Sequence, residues 1–329
     1  MQVAETSRSQ FGQANVTVRK ATQADEHSTN FKGWLNEFTQ LTPGAFEGLA
    51  RDIWLGPIQL FHNSVNRATR YRGCAWHPSR VLLSFLPVYG PFYLGERQIP
   101  SGTILSYRWD DADRFTLTTG FESVGICVDE QALQQYLESK CETQRIHNRR
   151  VIHSSASSQP ICRDFQDRLL TLINQLCERP ELLESSALRF EIVDSLLEAV
   201  VSVIGDPDEG TEARPPLAIR AQTVYRAQEF IEANLTAGIS MTELCTTLKV
   251  SRRALEYAFR DVIGIPPKRY IMALRLRRAR QEIIEQPSTC ISEIAERCGF
   301  NHLGRFSGLY RGFFGELPSR TNRRFCLEG

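Results

Sequence analysis

The chain has 329 residues, of which 42% are hydrophobic and 23% are charged, and its formal net charge is +1. These values are typical of a folded globular protein and exclude a fibrous or largely disordered chain. No apolar run approaches the roughly 20 residues that cross a bilayer, and the first 20 residues contain no continuous apolar stretch of the signal-peptide kind. We therefore expect a cytoplasmic protein of about two domains, without a membrane partner.

The charge is unevenly distributed along the chain. Residues 218–329 contain 18 Lys and Arg against 11 Asp and Glu, a net charge of +7, whereas residues 1–217 have a net charge of −6. Such an asymmetry indicates that the basic third of the chain faces a polyanion.

Nine cysteines and six histidines are scattered along the chain, with no CxxC pair and no Cys–His spacing of the zinc-finger kind. We expect reduced thiols, and we predict no metal site and no cofactor.

The first two-thirds of the chain changes character along its length. Residues 1–30 are polar and aperiodic and are predicted to form a flexible arm. From about residue 46 to residue 128, short apolar runs alternate with turn residues, which predicts a β-barrel or sandwich of short strands. The turn at residues 95–102 is similar to that of cupin barrels, although the paired His ligands of cupin metalloenzymes are missing. Helical periodicity follows over 131–139, 161–176 and 188–204.

A linker is predicted at residues 205–217, which contain two adjacent prolines and have no apolar periodicity. This segment coincides with the change of charge. It separates a first domain over residues 31–204 from a second domain over residues 218–329.

Two segments of the second domain repeat at an offset of 50 to 51 residues. Glu243 matches Glu293 at +50. At +51, Leu255, Phe259, Gly264, Pro267 and Arg269 match Phe306, Tyr310, Gly315, Pro318 and Arg320. Each copy predicts a short helix, a tight turn and a second helix, over about 240–261 and 290–313. This is the layout of a helix-turn-helix, in which the second helix enters the DNA major groove.

Local signals support these helices. Ser240 and Glu243 form a capping box, and Ser251 is a good N-cap for the second helix of the first copy. Residues 267–286 between the copies predict one helix of about 30 Å, close to the roughly 34 Å between successive major-groove segments. Four arginines of this helix could contact DNA phosphates or form ion pairs within the domain, and both interpretations stay open. These arginines are Arg275, Arg277, Arg278 and Arg280.

Residues 221–324 resemble the DNA-binding domain of the AraC/XylS family of bacterial transcription regulators. The motifs that carry this resemblance are Ser251-x-x-x-Leu255-x-x-x-Phe259-x-x-x-x-Gly264-x-x-Pro267, Ile294-Ala295-x-x-x-Gly299-Phe300 and Phe314-Gly315-x-x-Pro318-Ser319. The run 302–306 is similar to the branch that holds the ethanolamine-utilisation operon regulator. The resemblance implies an α+β protein of two domains. A cupin-like barrel or sandwich with appended helices would precede an all-α domain of two helix-turn-helix units joined by a long helix.

The resemblance also implies which side chains meet DNA. In the first copy, Arg253, Glu256 and Tyr257 occupy the positions that point at base edges, whereas Arg252 and Arg260 are expected on phosphates. The other expected contacts are Leu303 and Ser307 with bases, and Ser251, Arg278, His302, Arg305 and Arg311 with the DNA backbone. Because Gly304 and Gly308 share this second face, we expect it to give mainly backbone and shape contacts. The alternative is that the two glycines serve helix packing.

The expected function is sequence-specific DNA binding by an effector-responsive transcription regulator, and specifically an activator. Double-stranded DNA is its expected partner, and RNA polymerase is implied by the family; a small-molecule effector and a second copy of the chain stay open. The alternatives are a constitutive DNA-binding regulator and a DNA-repair enzyme with a similar domain. The enzyme needs a reactive Cys in a recognisable setting or a zinc-binding cysteine cluster, and the sequence offers neither, so no enzyme is expected. The effector-binding residues are unassigned. Six aromatic residues either line an effector pocket or belong to the hydrophobic core: Trp54, Trp76, Tyr89, Tyr93, Tyr107 and Trp109.

Overall fold

The structure is a computed structural model that describes residues 14–86, 92–94, 97–99, 103–109, 113–117, 119–140, 151–153, 159–204, 219–235 and 239–326. The predicted linker at residues 205–217 and the first 13 residues of the predicted arm lie outside the described residues. The described part is a two-domain α+β protein with a β-rich N-terminal domain and an all-helical C-terminal domain.

Twelve described strands build the N-terminal domain. They are β1 (Asn15–Ala21), β2 (Leu35–Gln40), β3 (Gly48–Leu55), β4 (Ile58–Val65), β5 (Thr69–Cys74), β6 (Ser79–Phe85), β7 (Phe92–Leu94), β8 (Arg97–Ile99), β9 (Ile104–Arg108), β10 (Asp113–Leu117), β11 (Phe121–Asp129) and β12 (Val151–His153). One sheet has the order β1-β3-β4-β11-β6-β9-β12 and the other has the order β2-β5-β10-β7-β8. Among the described strands no pairing joins the two sheets, so the predicted alternative of a closed barrel is not seen and the arrangement is a sandwich.

The seven-stranded sheet is buried on both faces because its side chains alternate between two cores. Phe61 on β4 and Cys127 on β11 point into the core shared with the five-stranded sheet. Their neighbours Leu60 and Ile126 point to the opposite face, which helices cover.

Those covering helices lie where the periodicity predicts them. They are α2 (Glu130–Ser139), α3 (Gln159–Glu178) and α4 (Ser186–Ile204), and α1 (Ala24–Ser28) precedes them in the chain. On α4, Leu197 and Val200 are buried against the sheet, whereas Phe190 at its start is 73% exposed. The apolar face of α4 is therefore used mainly within the chain.

The N-terminal segment differs from the predicted arm. β1 pairs antiparallel with β3 along its whole length, from Asn15 opposite Trp54 to Ala21 opposite Gly48. It is an edge strand with exposed Arg19 and Lys20. Its place is held by backbone hydrogen bonds, which leave little trace in hydrophobic patterning.

Seven helices build the C-terminal domain: α5 (Ile219–Ala233), α6 (Met241–Leu248), α7 (Arg252–Val262), α8 (Pro267–Glu285), α9 (Ile291–Arg297), α10 (Leu303–Phe314) and α11 (Pro318–Cys326). They pack around two separate cores. Leu255 and Phe259 belong to the first core and Phe306 and Tyr310 to the second. The helix α8 contributes to both cores and therefore connects the two units rigidly. Within the described ranges no helix combines the length and the apolar character needed to span a membrane.

Candidate nucleic-acid interface

The first helix-turn-helix consists of α6 and α7, and side-chain caps start both helices. Ser240 Oγ accepts a hydrogen bond from the backbone N–H of Glu243 at 3.0 Å. Ser251 Oγ accepts one from the N–H of Ala254 at 3.1 Å. Between the helices Lys249 adopts a left-handed conformation with φ of 55°, which is unfavourable for a residue with a side chain. The two caps fix where α6 and α7 begin.

The second unit, α9 and α10, repeats this backbone. Gly299, fifty residues after Lys249, has φ of 82° in the equivalent turn. Gly264 after α7 and Gly315 after α10 have φ of 79° and 77°. Because the two units have left-handed residues at equivalent positions, the sequence repeat is also a structural repeat. Glycine is suited to three of these four positions because it adopts this conformation at no steric cost.

The exposed face of α7 holds the predicted readers. Arg252, Arg253 and Arg260 are exposed, and Tyr257 is 51% exposed, on the side opposite the buried core residue Leu255. Glu256 is half-buried beside them. An exposed tyrosine between arginines is a face suited to contact with nucleic acid.

Two side-chain pairs order this face. The guanidinium of Arg253 lies 5.5 Å from the ring centre of Tyr257, and its Nη2 donates to the tyrosine Oη at 3.4 Å. Arg252 Nε donates to Glu256 Oε1 at 3.2 Å. Both pairs have i, i+4 spacing, which restricts the side chains before any partner binds. Tyr257 therefore holds the guanidinium of Arg253 in place as a hydrogen-bond donor, and Arg252 balances the charge of Glu256.

The face of α10 is more open. His302 precedes the helix without capping it through its side chain; Leu303 is 46% exposed, and Ser307 is half-buried. A Cβ added to Gly304, Gly308 or Gly312 would meet no described atom within 4 Å. Helix packing within the described residues therefore does not require these glycines. Arg305 and Arg311 are exposed on the same helix.

The arginines of α8 lie among carboxylates. Nη1 of Arg277 lies 3.0 Å from Glu37 Oε1 on β2. Nε of Arg278 lies 3.0 Å from Glu282 Oε1 one turn along the helix. Of the two interpretations left open by the sequence, these pairs favour intradomain and interdomain ion pairs. The phosphate contact predicted for Arg278 would have to compete with Glu282.

Arg280 is buried in a polar network that the sequence did not reveal. Its Nη1 donates to Glu316 Oε1 at 2.7 Å and to the hydroxyl oxygens of Tyr310 and Thr321 at 3.2 and 3.3 Å. Burial by itself raises the pKa of Glu316. Hydrogen bonds from Arg280 and Thr321, with the positive charges nearby, outweigh it and hold this pKa below its ordinary value. The network joins α8, α10 and α11 and so supports the second recognition helix.

The N-terminal domain contacts both halves of the C-terminal domain, each half being the helices around one of its two cores. In the first half, Arg70 of β5 is ion-paired with Glu232 of α5 and donates to the hydroxyl of Tyr270 of α8 at 3.2 Å. In the second half, Nε of Arg280 on α8 lies 3.4 Å from Asp25 Oδ1 of α1. The N–H of Gly44 donates to the carbonyl of Phe313 at 3.2 Å. The N-terminal domain therefore contacts α5 and α8, which share a core with α7, and contacts α10 directly.

A cavity lies between the two sheets, and few of the aromatic candidates line it. Tyr107 does, whereas Trp54 and Trp76 belong to the surrounding core and Tyr93 packs against the C-terminal helices. Tyr89 lies outside the described residues. The side chains that form the wall come from distant strands, and their meeting could not be inferred from spacing; among them are Phe31, Trp34, Phe38, Phe61 and Phe121.

Comparisons with known proteins agree with this geometry. Residues 244–324 match a family described as a helix-turn-helix domain. The HTH-type transcriptional regulator GbdR of Pseudomonas aeruginosa is 44% identical over 94 residues, which are 29% of this chain and 25% of GbdR. The XylDLEGF operon transcriptional activator of Pseudomonas putida is 42% identical over 106 residues, 31% of this chain and 33% of the activator. The chain thus spans about a quarter to a third of these relatives, which are transcription regulators and not enzymes, as expected.

A solved structure of a transcriptional regulator from Chromobacterium violaceum, described as having an AraC-type DNA-binding domain, is 33% identical. It covers 34% of this chain and 99% of its own, with a TM-score of 0.31. Residues 244–324, which the family matches, cover most of the first helix-turn-helix unit, the helix α8 and the whole second unit. The C-terminal third of the chain therefore belongs to the AraC/XylS family of helix-turn-helix DNA-binding domains.

Proposed function

We propose that the chain is a transcription regulator that places α7 and α10 in two successive major-groove segments on one side of the DNA. The observation that carries this proposal is the duplicated unit with matched left-handed turns at Lys249 and Gly299 and at Gly264 and Gly315. The +7 charge of residues 218–329 supports attraction to phosphates.

The connecting helix has a suitable length. The 19 residues of α8 extend about 28 Å at 1.5 Å per residue, close to the roughly 34 Å between groove segments. Since α8 belongs to the cores of both units, the spacing of the two recognition helices is set by the protein rather than by a flexible linker.

The test is a binding-site selection with the full chain, followed by affinity measurements on the selected duplex. We expect two half-sites about 10 base pairs apart, centre to centre. Inserting five base pairs between them should weaken binding at least tenfold, because one recognition helix then faces the wrong side of the DNA. Binding without sequence preference, or binding indifferent to the insertion, would contradict the proposal.

We further propose that the regulator responds to an effector held in the N-terminal domain. Support comes from the cavity between the sheets and from the contacts of β2 and β5 with the helical domain. Activation of transcription through RNA polymerase is the mode that the family resemblance favours. Assignment to the ethanolamine-utilisation branch rests on residues 302–306 alone, and the cupin-like description of the sandwich rests on the turn at residues 95–102.

A further inference from the structure

The cavity between the sheets is small and its wall is mostly aromatic. Its empty space, mouth included, is about 430 Å³, of which about 40 Å³ can hold the centre of a water molecule. The smaller figure, 40 Å³, is far below the volume of most ligand pockets, so the cavity suits only a small ligand. Aromatic rings from both sheets line it, including Trp34 and Tyr71 from the neighbourhood of one sheet and Phe61 and Phe121 from the other. A compact, flat, apolar ligand suits such a wall.

The wall carries no formal charge. None of the described side chains that line the cavity is Asp, Glu, Lys, Arg or His. An ionised ligand would lose its hydration there without gaining a counter-charge, which is costly. An uncharged wall therefore favours a neutral ligand.

The side-chain amide of Asn63, on the wall of the cavity, has a fixed orientation. Asn63 is bonded to His27, which lies behind the wall; burial lowers the pKa of His27, although the hydrogen bond to Asn63 and the charge of Glu26 act in the opposite direction. His27 Nδ1 accepts a hydrogen bond from Asn30 Nδ2 at 3.2 Å. Nε2 therefore carries the proton and donates to Asn63 Oδ1 at 2.7 Å. The carbonyl of Asn63 is thus occupied, and its amide N–H groups remain to serve the cavity.

A second amide is oriented in the same way. The hydroxyl of Tyr71 donates to Asn36 Oδ1 at 2.7 Å, which leaves the Asn36 Nδ2 group as a donor. Asn36 and Asn63 both line the cavity. Apart from these amides, the wall consists of aromatic rings, two leucines, and Ser123. Two oriented amide donors on such a wall favour a ligand with a hydrogen-bond acceptor. They disfavour a cation, because the positive ends of both amide dipoles would face it.

The wall is held in place before a ligand arrives. Gln59 Oε1 accepts hydrogen bonds from the indole N–H groups of Trp34 and Trp76 at 2.9 and 2.7 Å. Gln59 Nε2 donates to the buried carboxyl of Asp52 at 2.7 Å. This chain of bonds fixes the ring of Trp34, so binding costs little side-chain ordering.

We propose that the cavity binds a small, neutral, flat apolar compound with one hydrogen-bond acceptor, of the class of aryl ketones, which accepts from the amides of Asn36 and Asn63. This inference rests on the effector-responsive part of the proposed function and names the chemical class of that effector.

The test compares four probes of nearly equal size by calorimetry on the full chain at pH 7: acetophenone, α-methylstyrene, benzoate and phenyltrimethylammonium. Acetophenone should bind about tenfold more tightly than α-methylstyrene, which has the same shape but no acceptor. Benzoate and phenyltrimethylammonium should bind more weakly still. Equal affinity for the first two, tighter binding of either ion, or no binding of any probe would overturn the proposal.

Variants locate the site. Asn63→Leu and Asn36→Leu should each reduce the preference for acetophenone over α-methylstyrene, with Asn15→Leu on the edge strand β1 as the control. The ratio of the two affinities is informative even where a variant is less stable, because both probes meet the same protein. An unchanged ratio in both cavity variants would contradict the assignment of the donors.

DNA binding separates this inference from the proposed function. If acetophenone binds as described and changes the affinity for the selected duplex, both stand. If it binds as described and leaves that affinity unchanged, the ligand class stands and the effector response fails.

Discussion

The carboxylate of Glu37 on β2 lies 3.0 Å from the guanidinium of Arg277 on α8. Its neighbours in the strand, Asn36 and Phe38, line the cavity between the sheets. One short strand therefore touches both the candidate effector site and the helix that spaces the two recognition helices. A cleft of about 420 Å³ runs along this contact, so the pair is partly open to solvent.

Removing this pair should weaken the link between the two domains. In a double-mutant cycle of Glu37→Gln and Arg277→Gln, urea unfolding should give a coupling free energy of about 0.2–1 kcal/mol, as for a partly exposed pair. Glu47→Gln, an exposed glutamate on the same domain, is the control and should show no coupling with Arg277→Gln. A coupling of zero for the first pair would show that the contact does not stabilise the folded chain.

Arg253 should read a base. Arg253→Ala is expected to weaken binding to the selected duplex by roughly 1–3 kcal/mol and to relax the preference at one base position. Fluorescence anisotropy on the selected and on a random duplex measures both effects. Arg260→Ala, expected to remove a phosphate contact, should weaken binding to both duplexes alike. The same uniform loss for Arg253→Ala would identify Arg253 as a phosphate contact only.

The glycines of α10 should serve DNA approach and not packing. A Cβ at Gly308 meets no described atom within 4 Å, so Gly308→Ala should raise the free energy of unfolding by about 1 kcal/mol. Its affinity for DNA should fall, because the methyl group occupies space that the DNA backbone needs.

Gly312→Ala is the matched control for this substitution. Gly312 is equally open. DNA contacts concentrate near the start of a recognition helix, and Gly312 lies one turn farther from that start than Gly308. It should gain stability without losing affinity. Unchanged affinity in Gly308→Ala would mean that the DNA does not approach this face closely.

The buried pair of Arg280 and Glu316 should make stability depend on pH. The pKa of Glu316 in the folded chain lies below the ordinary value of 4.5 because of its bonds to Arg280 and Thr321. The stabilisation is therefore complete above that ordinary value and is lost as the pH falls through the lower folded-state pKa.

Glu316→Gln isolates this contribution. At neutral pH it should lower the free energy of unfolding by about 3 kcal/mol, because it leaves Arg280 without its closest buried charge partner. Urea unfolding of both proteins at a series of pH values should show the difference shrinking below pH 4.5. A difference that does not change with pH would assign the loss to packing alone.

Features that depend on residues close together in the chain could be predicted from the amino-acid order alone. The caps at Ser240 and Ser251 are local hydrogen bonds, and the repeat of Gly264 and Gly315 marks positions where the backbone needs a left-handed conformation. The spacing of buried residues such as Leu255 and Phe259 gave the helix faces. These signals sufficed to predict two helix-turn-helix units and their exposed faces.

The partners that meet over long distances in the chain became visible only in the folded protein. Arg277 and Arg280 resemble each other in sequence, yet one pairs with Glu37 from β2 and the other is buried against Glu316. The cavity joins Asn36 and Asn63 from two different sheets. Strand order and domain packing set these contacts, and a pattern along one chain does not encode which distant side chains come to lie within a few ångströms of each other.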